Sequence, residues 1–256
     1  MDAPRPPITL AIEGAIAIAT LDRPPVNAID DAWVARLGAI LDEVEARDEV
    51  HVLWIRSAGR AFCAGADLAL MRERFADDAG RARMVELARD MQQVFARVER
   101  SPKVSIAEIG GPALGGGLEL ALACDLRLAA DNAKLGLPEA RLGLLPGAGG
   151  TQRLTRICGH AIARQLILGA EVVDGQRAAA LGIVHRSVPA AELQAAARAQ
   201  AERIAAMPGA ALAACKRCIT AGADGHEDGF AAEIEGTAML YGQAETQALV
   251  HRFLAG

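Results

Sequence analysis

The sequence predicts an α/β core followed by a helical tail. Strand-like apolar runs alternate with amphipathic stretches over roughly the first two-thirds of the chain. From about Asp174 onward, helix-like segments dominate. Hydrophobic residues make up 52% of the chain but aromatics only 3%, so the core must be built from Val, Ile, Leu and Ala. That material suits close-packed helices and strands.

Residues 8–12 and 15–21 are apolar-rich runs around Glu13-Gly14, which predicts a β-hairpin. Arg23-Pro24-Pro25 stops regular structure. Asp30 or Asp31 caps a helix to about Arg47, with apolar positions at Trp33, Val34, Leu37, Ile40, Leu41 and Val44. Residues 50–55 form a buried-strand pattern, and 57–60 a turn. Residues 81–98 form a second amphipathic helix. Its Met84, Leu87, Ala88, Met91, Val94, Phe95 and Val98 recur at three and four. Ser101-Pro102 ends it, and 104–109 is a short strand. A Gly-rich loop follows, then a helix from about Gly116 and a strand near 126–129. The later helical segments are 174–181, 190–207, 210–221 and 230–240. No fixed-period repeat and no low-complexity linker is visible. The expected division is therefore a core over 1–189 and a helical subdomain over 190–256, packed on the core or on a neighbouring subunit.

The net charge of −5 argues against a nucleic-acid protein, because phosphate binding needs a positive field. The arginines at 72, 74, 81, 83 and 89 read as a solvated helix face rather than an anion patch. The N-terminus lacks a basic region followed by a long apolar run. No run approaches the roughly 18 uncharged apolar residues of a membrane span. The apolar stretch at 118–128 is broken by Glu119, Asp125 and Arg127. A soluble, cytoplasmic protein without membrane contact is expected. The cysteines at 63, 124, 158, 215 and 218 are odd in number and do not form a disulfide framework. Cys215 and Cys218 make one C-x-x-C, but a second ligand pair is missing and the surroundings are helical, so no metal is expected.

Three segments carry chemistry. The first, FCAGADL at 62–68, has small residues that let backbone approach a ligand. The second, GGPALGGGLELALACD at 110–125, puts three glycines at a helix start. The exposed N–H groups there carry the positive end of the helix dipole. No Gly-Lys-Ser/Thr follows, so it is not a phosphate loop. Glu119 falls in the first turn among apolar neighbours; it is either a dipole-stabilised acid or a functional one. The third, LGLPEARLGLLPGAGGT at 135–151, carries Glu139 in a stiff, apolar turn. Alone, Glu139 reads as a surface acid.

Together these segments resemble the enoyl-CoA hydratase/isomerase, or crotonase, family. Its FxAGAD-type, GGG-x-E and PE-x-x-LG…PGxGGTQRL segments stand here in that order, the last running on to Leu154. LDRPPVNAI at 21–29 and DGQRAAALGIV at 174–184 match as well, so the resemblance covers nearly the whole chain. It implies a spiral of ββα turns with a helical C-terminal region used in trimerisation. Homo-trimers, or hexamers as dimers of trimers, would follow. It implies a coenzyme A thioester as substrate and no permanently bound cofactor.

By motif position, the N–H groups of Ala66 and Gly116 would form an oxyanion hole. Pro25, Val26, Ala64, Ala66, Asp67 and Leu68 would line the coenzyme A site. Glu119 and Glu139 match the two hydratase glutamates, and Gly147 would lie beside the catalytic water. Leu118, Leu120, Leu142 and Leu144 would make their surroundings apolar and raise at least one pKa. The tail departs from the family's EG…AF-x-E-K-R pattern, with ETQALVHR at 245–252; Lys216 remains as a candidate positive charge for the cofactor. Competing readings are a double-bond isomerase, another acyl-CoA enzyme of the same fold, and a non-catalytic or RNA-binding relative. The acyl group is not legible: 69–80 should border its pocket, and Met71, Arg72 and Phe75 indicate no length.

Overall fold

The computed structural model describes residues 5–224 and 228–255. Residues 1–4, on which the expectation about a leader segment falls, residues 225–227 and Gly256 lie outside them. β1 (Ile8–Glu13) and β2 (Ile16–Leu21) form the expected antiparallel hairpin, with Ile8 opposite Leu21. α1 (Asp31–Glu45) starts after Asp30, whose carboxylate accepts from Trp33 N at 2.8 Å. All six apolar positions expected on α1 are buried. β3 (Val52–Ser57), α2 (Leu68–Arg74) and α3 (Asp78–Arg100) follow. Trp33 meets Phe95 edge-on at 6.5 Å, which joins α1 to α3. Such a pair adds about 1 kcal/mol beyond area burial. Three arginines of α2 and α3 are engaged in ion pairs: Arg74 with Asp31 of α1, and Arg81 with Asp78 and Arg89 with Glu86 within α3.

The middle of the chain runs through β4 (Val104–Ile109), β5 (Ala113–Leu114), α4 (Gly116–Ala123), β6 (Leu126–Ala130) and β7 (Lys134–Gly136). A 3-10 turn (Pro138–Leu142) leads to α5 (Gly150–Leu168), kinked at Gly159. Then come β8 (Val172–Asp174), α6 (Gly175–Ala180) and β9 (Arg186–Val188). The larger sheet has the order β1-β2-β3-β4-β6-β9, parallel from β2 onward. The smaller sheet has the order β5-β7-β8.

The spiral of ββα turns is visible in the register. Two turns run alike, β4-β5-α4 and β6-β7 with the 3-10 turn, and after β3 an isolated bridge at Cys63 takes the place of the short strand. Cys63 bridges Ala113, Ala113 pairs with Leu135, and Leu135 pairs with Val173. Successive turns therefore stack residue over residue. Ala66 lies three residues after Cys63, Gly116 three after Ala113, and Pro138 three after Leu135. Equal offsets from one stack bring three distant motifs to one edge of the spiral.

The 190–207 segment is divided into a 3-10 turn (Ala190–Glu192) and α7 (Leu193–Ala205). α7 buries Leu193, Ala197, Ala201 and Ile204 against β2, β3, β4 and β6. α8 (Gly209–Asp224) packs with α9 (Gly229–Tyr241), and α10 (Ala244–Ala255) follows. Cys215 and Cys218 are free thiols on α8. Lys216 does not offer its charge to a cofactor. Its buried ammonium donates to the Val98 carbonyl at 3.1 Å, the Lys103 carbonyl at 2.9 Å and Asp125 Oδ2 at 2.7 Å. It joins α8 to α3 and to the segment before β4. Among the described residues, no helix is long and apolar enough to cross a membrane.

Candidate active site

The glycine run at 115–117 solves three separate packing problems. Gly115 takes φ +51, and its N–H donates to the Gly136 carbonyl at 3.0 Å. A Cβ on Gly117 would stand 2.0 Å from the Cys63 carbonyl oxygen, so α4 lies directly on the backbone of the first motif. A Cβ on Gly116 would meet Met91 Cε at 2.7 Å. Gly116 is the first residue of α4, where an N–H has no acceptor within the helix.

Ala66 reaches the same place from the other side. Ile29 N donates to the Gly65 carbonyl at 2.8 Å, and Asp67 N donates to the Ile29 carbonyl at 2.9 Å. Backbone alternation turns the N–H of Ala66 away from Ile29. A Cβ on Gly65 would lie 3.2 Å from Gly116 N, so the two segments touch. Ala66 and Gly116 line one cavity of about 620 Å³.

Glu119 projects into that cavity from the first turn of α4 and is 2% exposed. Its Oε1 accepts from Ala148 N at 2.8 Å and from Gly150 N at 2.7 Å. Burial pushes its carboxyl up to about 7, and the charge of Glu139 adds to the rise. The Gly150 and Ala148 N–H groups and Arg153 act in the opposite sense. A Cβ on Gly150 would lie 2.9 Å from Glu119 Cγ and Oε1, so the carboxylate and the loop fit only with glycine there.

Glu139 enters from the 3-10 turn. Gly115 leaves room for it, since a Cβ there would stand 2.9 Å from Glu139 Oε1. Its Oε2 is buried and has no hydrogen-bond partner among the described residues. Burial raises its pKa above the usual carboxylate value, with its own backbone N–H opposing. Two carboxyls on one apolar cavity, each pushed by burial toward its neutral form, are suited to proton transfer.

The other expected residues divide into two groups. Ala64, Leu68 and Gly147 line the cavity, as do Leu142 and Leu144. Pro25, Val26 and Asp67 lie outside that lining. Val26 sits beside it, its carbonyl accepting from Ala64 N at 3.0 Å. The Asp67 side chain is engaged elsewhere. Oδ1 caps α2 through Ala69 N at 2.9 Å, and Oδ2 accepts from Arg23 at 2.8 Å. Leu118 and Leu120 are buried within α4.

Three supporting residues were not singled out from the sequence. Buried Asn27 donates to Ser57 Oγ at 2.9 Å and to the carbonyls of Ala61 and Phe62 at 3.0 Å, tying the Pro-rich loop to the first motif. Buried Arg153 bonds Glu99 at 2.9 and 3.0 Å and donates to the Ala148 carbonyl at 3.0 Å. Gln92 Nε2 donates to the Gly147 carbonyl at 2.6 Å. α3 thereby braces the loop whose N–H groups hold Glu119. The motif GGTQRL contains Arg153, but its acceptors lie elsewhere in the chain.

Comparison with known proteins gives a consistent result. The family model for enoyl-CoA hydratase/isomerase matches residues 11–254. A probable enoyl-CoA hydratase of Bacillus subtilis is 44% identical over 177 residues, covering 69% of this chain and 67% of that protein. A short-chain-enoyl-CoA hydratase of Clostridium acetobutylicum is 35% identical over 217 residues, covering 84% and 81%. The crystal structure of an enoyl-CoA hydratase from Bacillus anthracis superposes with a TM-score of 0.90 at 32% identity, covering 97% of this chain and 96% of that one. The chain belongs to the enoyl-CoA hydratase/isomerase family and has its crotonase fold.

Proposed function

We propose that this chain is an enoyl-CoA hydratase. It adds water across the 2,3 double bond of a 2-enoyl-CoA thioester to give a 3-hydroxyacyl-CoA. The observation that carries this reading is a pair of carboxyls, buried Glu119 and half-buried Glu139, on one apolar cavity beside the start of α4. The hydratase names of its relatives support it.

The thioester oxygen sits between the N–H groups of Ala66 and Gly116. Negative charge builds on that oxygen as water attacks C3, so preorganised donors favour the transition state over the ground state. One such donor is worth about 3 kcal/mol. The positive end of α4 acts on the same oxygen. Ionised Glu119 orients the water and takes its proton as the C3–O bond forms. Both N–H bonds to Glu119 fall on Oε1, which leaves Oε2 for the water. Gly147 lies beside that water. Protonated Glu139 gives its proton to C2 as the C2–C3 π bond is lost. Its Oε2 has no hydrogen-bond partner among the described residues. Exchange with solvent returns the Glu119 proton and reprotonates Glu139.

Ala64, Ala66 and Leu68, with Pro25 and Val26, hold the coenzyme A portion. Asp67 acts on it through Arg23 and the α2 cap. No permanent cofactor takes part in this scheme. α9 and α10 expose Phe230, Ile234, Tyr241, Phe253 and Leu254 in the single chain. An apolar surface of this kind favours burial against other copies, in a trimer or a dimer of trimers, with 190–256 as the assembling part. A cytoplasmic location fits this reaction.

The test is crotonyl-CoA hydration by the wild type and by Glu119→Gln and Glu139→Gln. Each variant should lose roughly 10²–10⁴-fold in rate and remain folded by circular dichroism. Near-normal hydration by both variants would sink the two-carboxyl scheme. Isomerisation needs only one carboxyl to move one proton. A chain that shifts the double bond of a 3-enoyl-CoA but does not hydrate crotonyl-CoA would therefore be an isomerase.

A further inference from the structure

Large apolar side chains left exposed are not spread evenly over the core. Among described residues up to 150 they are Leu68, Phe75, Val85, Leu142 and Leu145, from 45% exposed at Phe75 to 69% at Leu145. All five line the cavity that holds Glu119 and Glu139. They come from α2 and its C-cap, from α3, and from the 3-10 turn and the loop after it. Three separate elements thus direct apolar groups to one trough that begins at the reacting carboxyls.

The trough offers little to a polar tail. Arg81 lines it, but its guanidinium is taken by Asp78 and by the Phe75 carbonyl. The floor includes Met84 and Met91 of α3, whose unbranched side chains adapt to ligands of varied shape. A crotonyl group places a single methyl beyond the reacting carbons. That would leave most of a cavity of about 620 Å³ to water.

Resting on the hydratase reading, we propose that this trough takes a hydrocarbon acyl tail of medium to long length, on the order of eight carbons or more. Phe75, Val85, Leu142 and Leu145 set that preference. Each methylene buried there should raise kcat/KM roughly three-fold, until the trough is filled.

The experiment measures kcat/KM for trans-2-enoyl-CoA substrates of four, six, eight, ten and twelve carbons, with the wild type and a Val85→Ser/Leu145→Ser double variant. These two positions are exposed, so the variant should fold, which circular dichroism checks. The expected result is a rise of at least about 30-fold from four to ten carbons in the wild type. In the variant, the ten-to-four ratio should fall by about 10-fold or more. A flat or falling series in an active wild type would overturn the proposal and leave the hydratase reading standing; the rim would then belong to a contact with a second copy. If no chain length is hydrated, calorimetry with butyryl-CoA and octanoyl-CoA separates the two ideas. Octanoyl-CoA bound at least about 30-fold tighter would sustain the tail site without hydratase activity, and equal affinities would overturn it.

Discussion

Glu119 and Glu139 face one cavity from unlike settings. Glu119 stands on a helix whose start is locked against the first motif, and two N–H groups hold one of its oxygens. Behind those donors, Arg153 and Gln92 tie the loop to α3. Glu139 hangs from a five-residue 3-10 turn, and its buried Oε2 has no hydrogen-bond partner among the described residues. The first setting fixes a carboxylate and tolerates its charge. In both settings burial raises the pKa, and at Glu119 two N–H bonds oppose that rise.

Breaking the fixed setting should have the larger effect. Gly150→Ala places a methyl 2.9 Å from Glu119 Cγ and Oε1, and 3.0 Å from Leu137. Either the carboxylate or the loop must move, and misplacement on this scale costs about 100-fold in kcat. Steady-state hydration kinetics check this. A variant with near-normal kcat would show that the pinning of Glu119 is unimportant.

Arg153→Gln tests the brace behind it. Expected is a loss of about 10-fold in kcat with little change in KM, because the Ala148 N–H is no longer held toward Glu119. Arg153 also lowers the Glu119 pKa, so the midpoint of the rate profile should move to higher pH in the variant. Arg153→Lys should recover part of both. A loss of folding without a change in midpoint would assign Arg153 a structural role only.

A third effect concerns pH. Activity needing ionised Glu119 should rise through about 7, and the Glu119→Gln variant should lack that step. Stability should move in the opposite direction. The folded-state value of about 7 lies above the ordinary 4.5, so the native protein binds the extra proton. That contribution is complete below about 4.5 and lost as pH rises through about 7. Wild type should lose on the order of 3 kcal/mol relative to Glu119→Gln between pH 4.5 and 8. Urea unfolding at the two ends measures it, and an unchanged difference would refute a raised Glu119 pKa.

Much of the local structure was legible. Long amphipathic helices announce themselves by spacing, and the six apolar positions of α1 are all buried. β5, β7, β8 and β9 were not legible, because strands of two or three residues carry no period. α5 was hidden by its kink at Gly159, and α2 by its shortness. Glu119 and Glu139 were legible through motif order, since their neighbours in sequence recur as a set. Asn27 and Arg153 were not, because each acts through partners dozens of residues away.

The sequence by itself determined the alternation of strands and helices, the apolar core material, the glycines at the start of α4 and the two candidate acids. Each of these is a local matter of periodicity, backbone freedom or side-chain chemistry. Only the tertiary structure decided that Cys63, Ala113 and Leu135 stack in register, and hence that Ala66, Gly116 and Glu139 meet. It also decided that Lys216 is spent on packing α8, and that five exposed apolar side chains open onto the carboxyls. The reason is that burial and hydrogen bonding depend on which turn of the spiral lies beside which, and that is set by the packing of the whole chain.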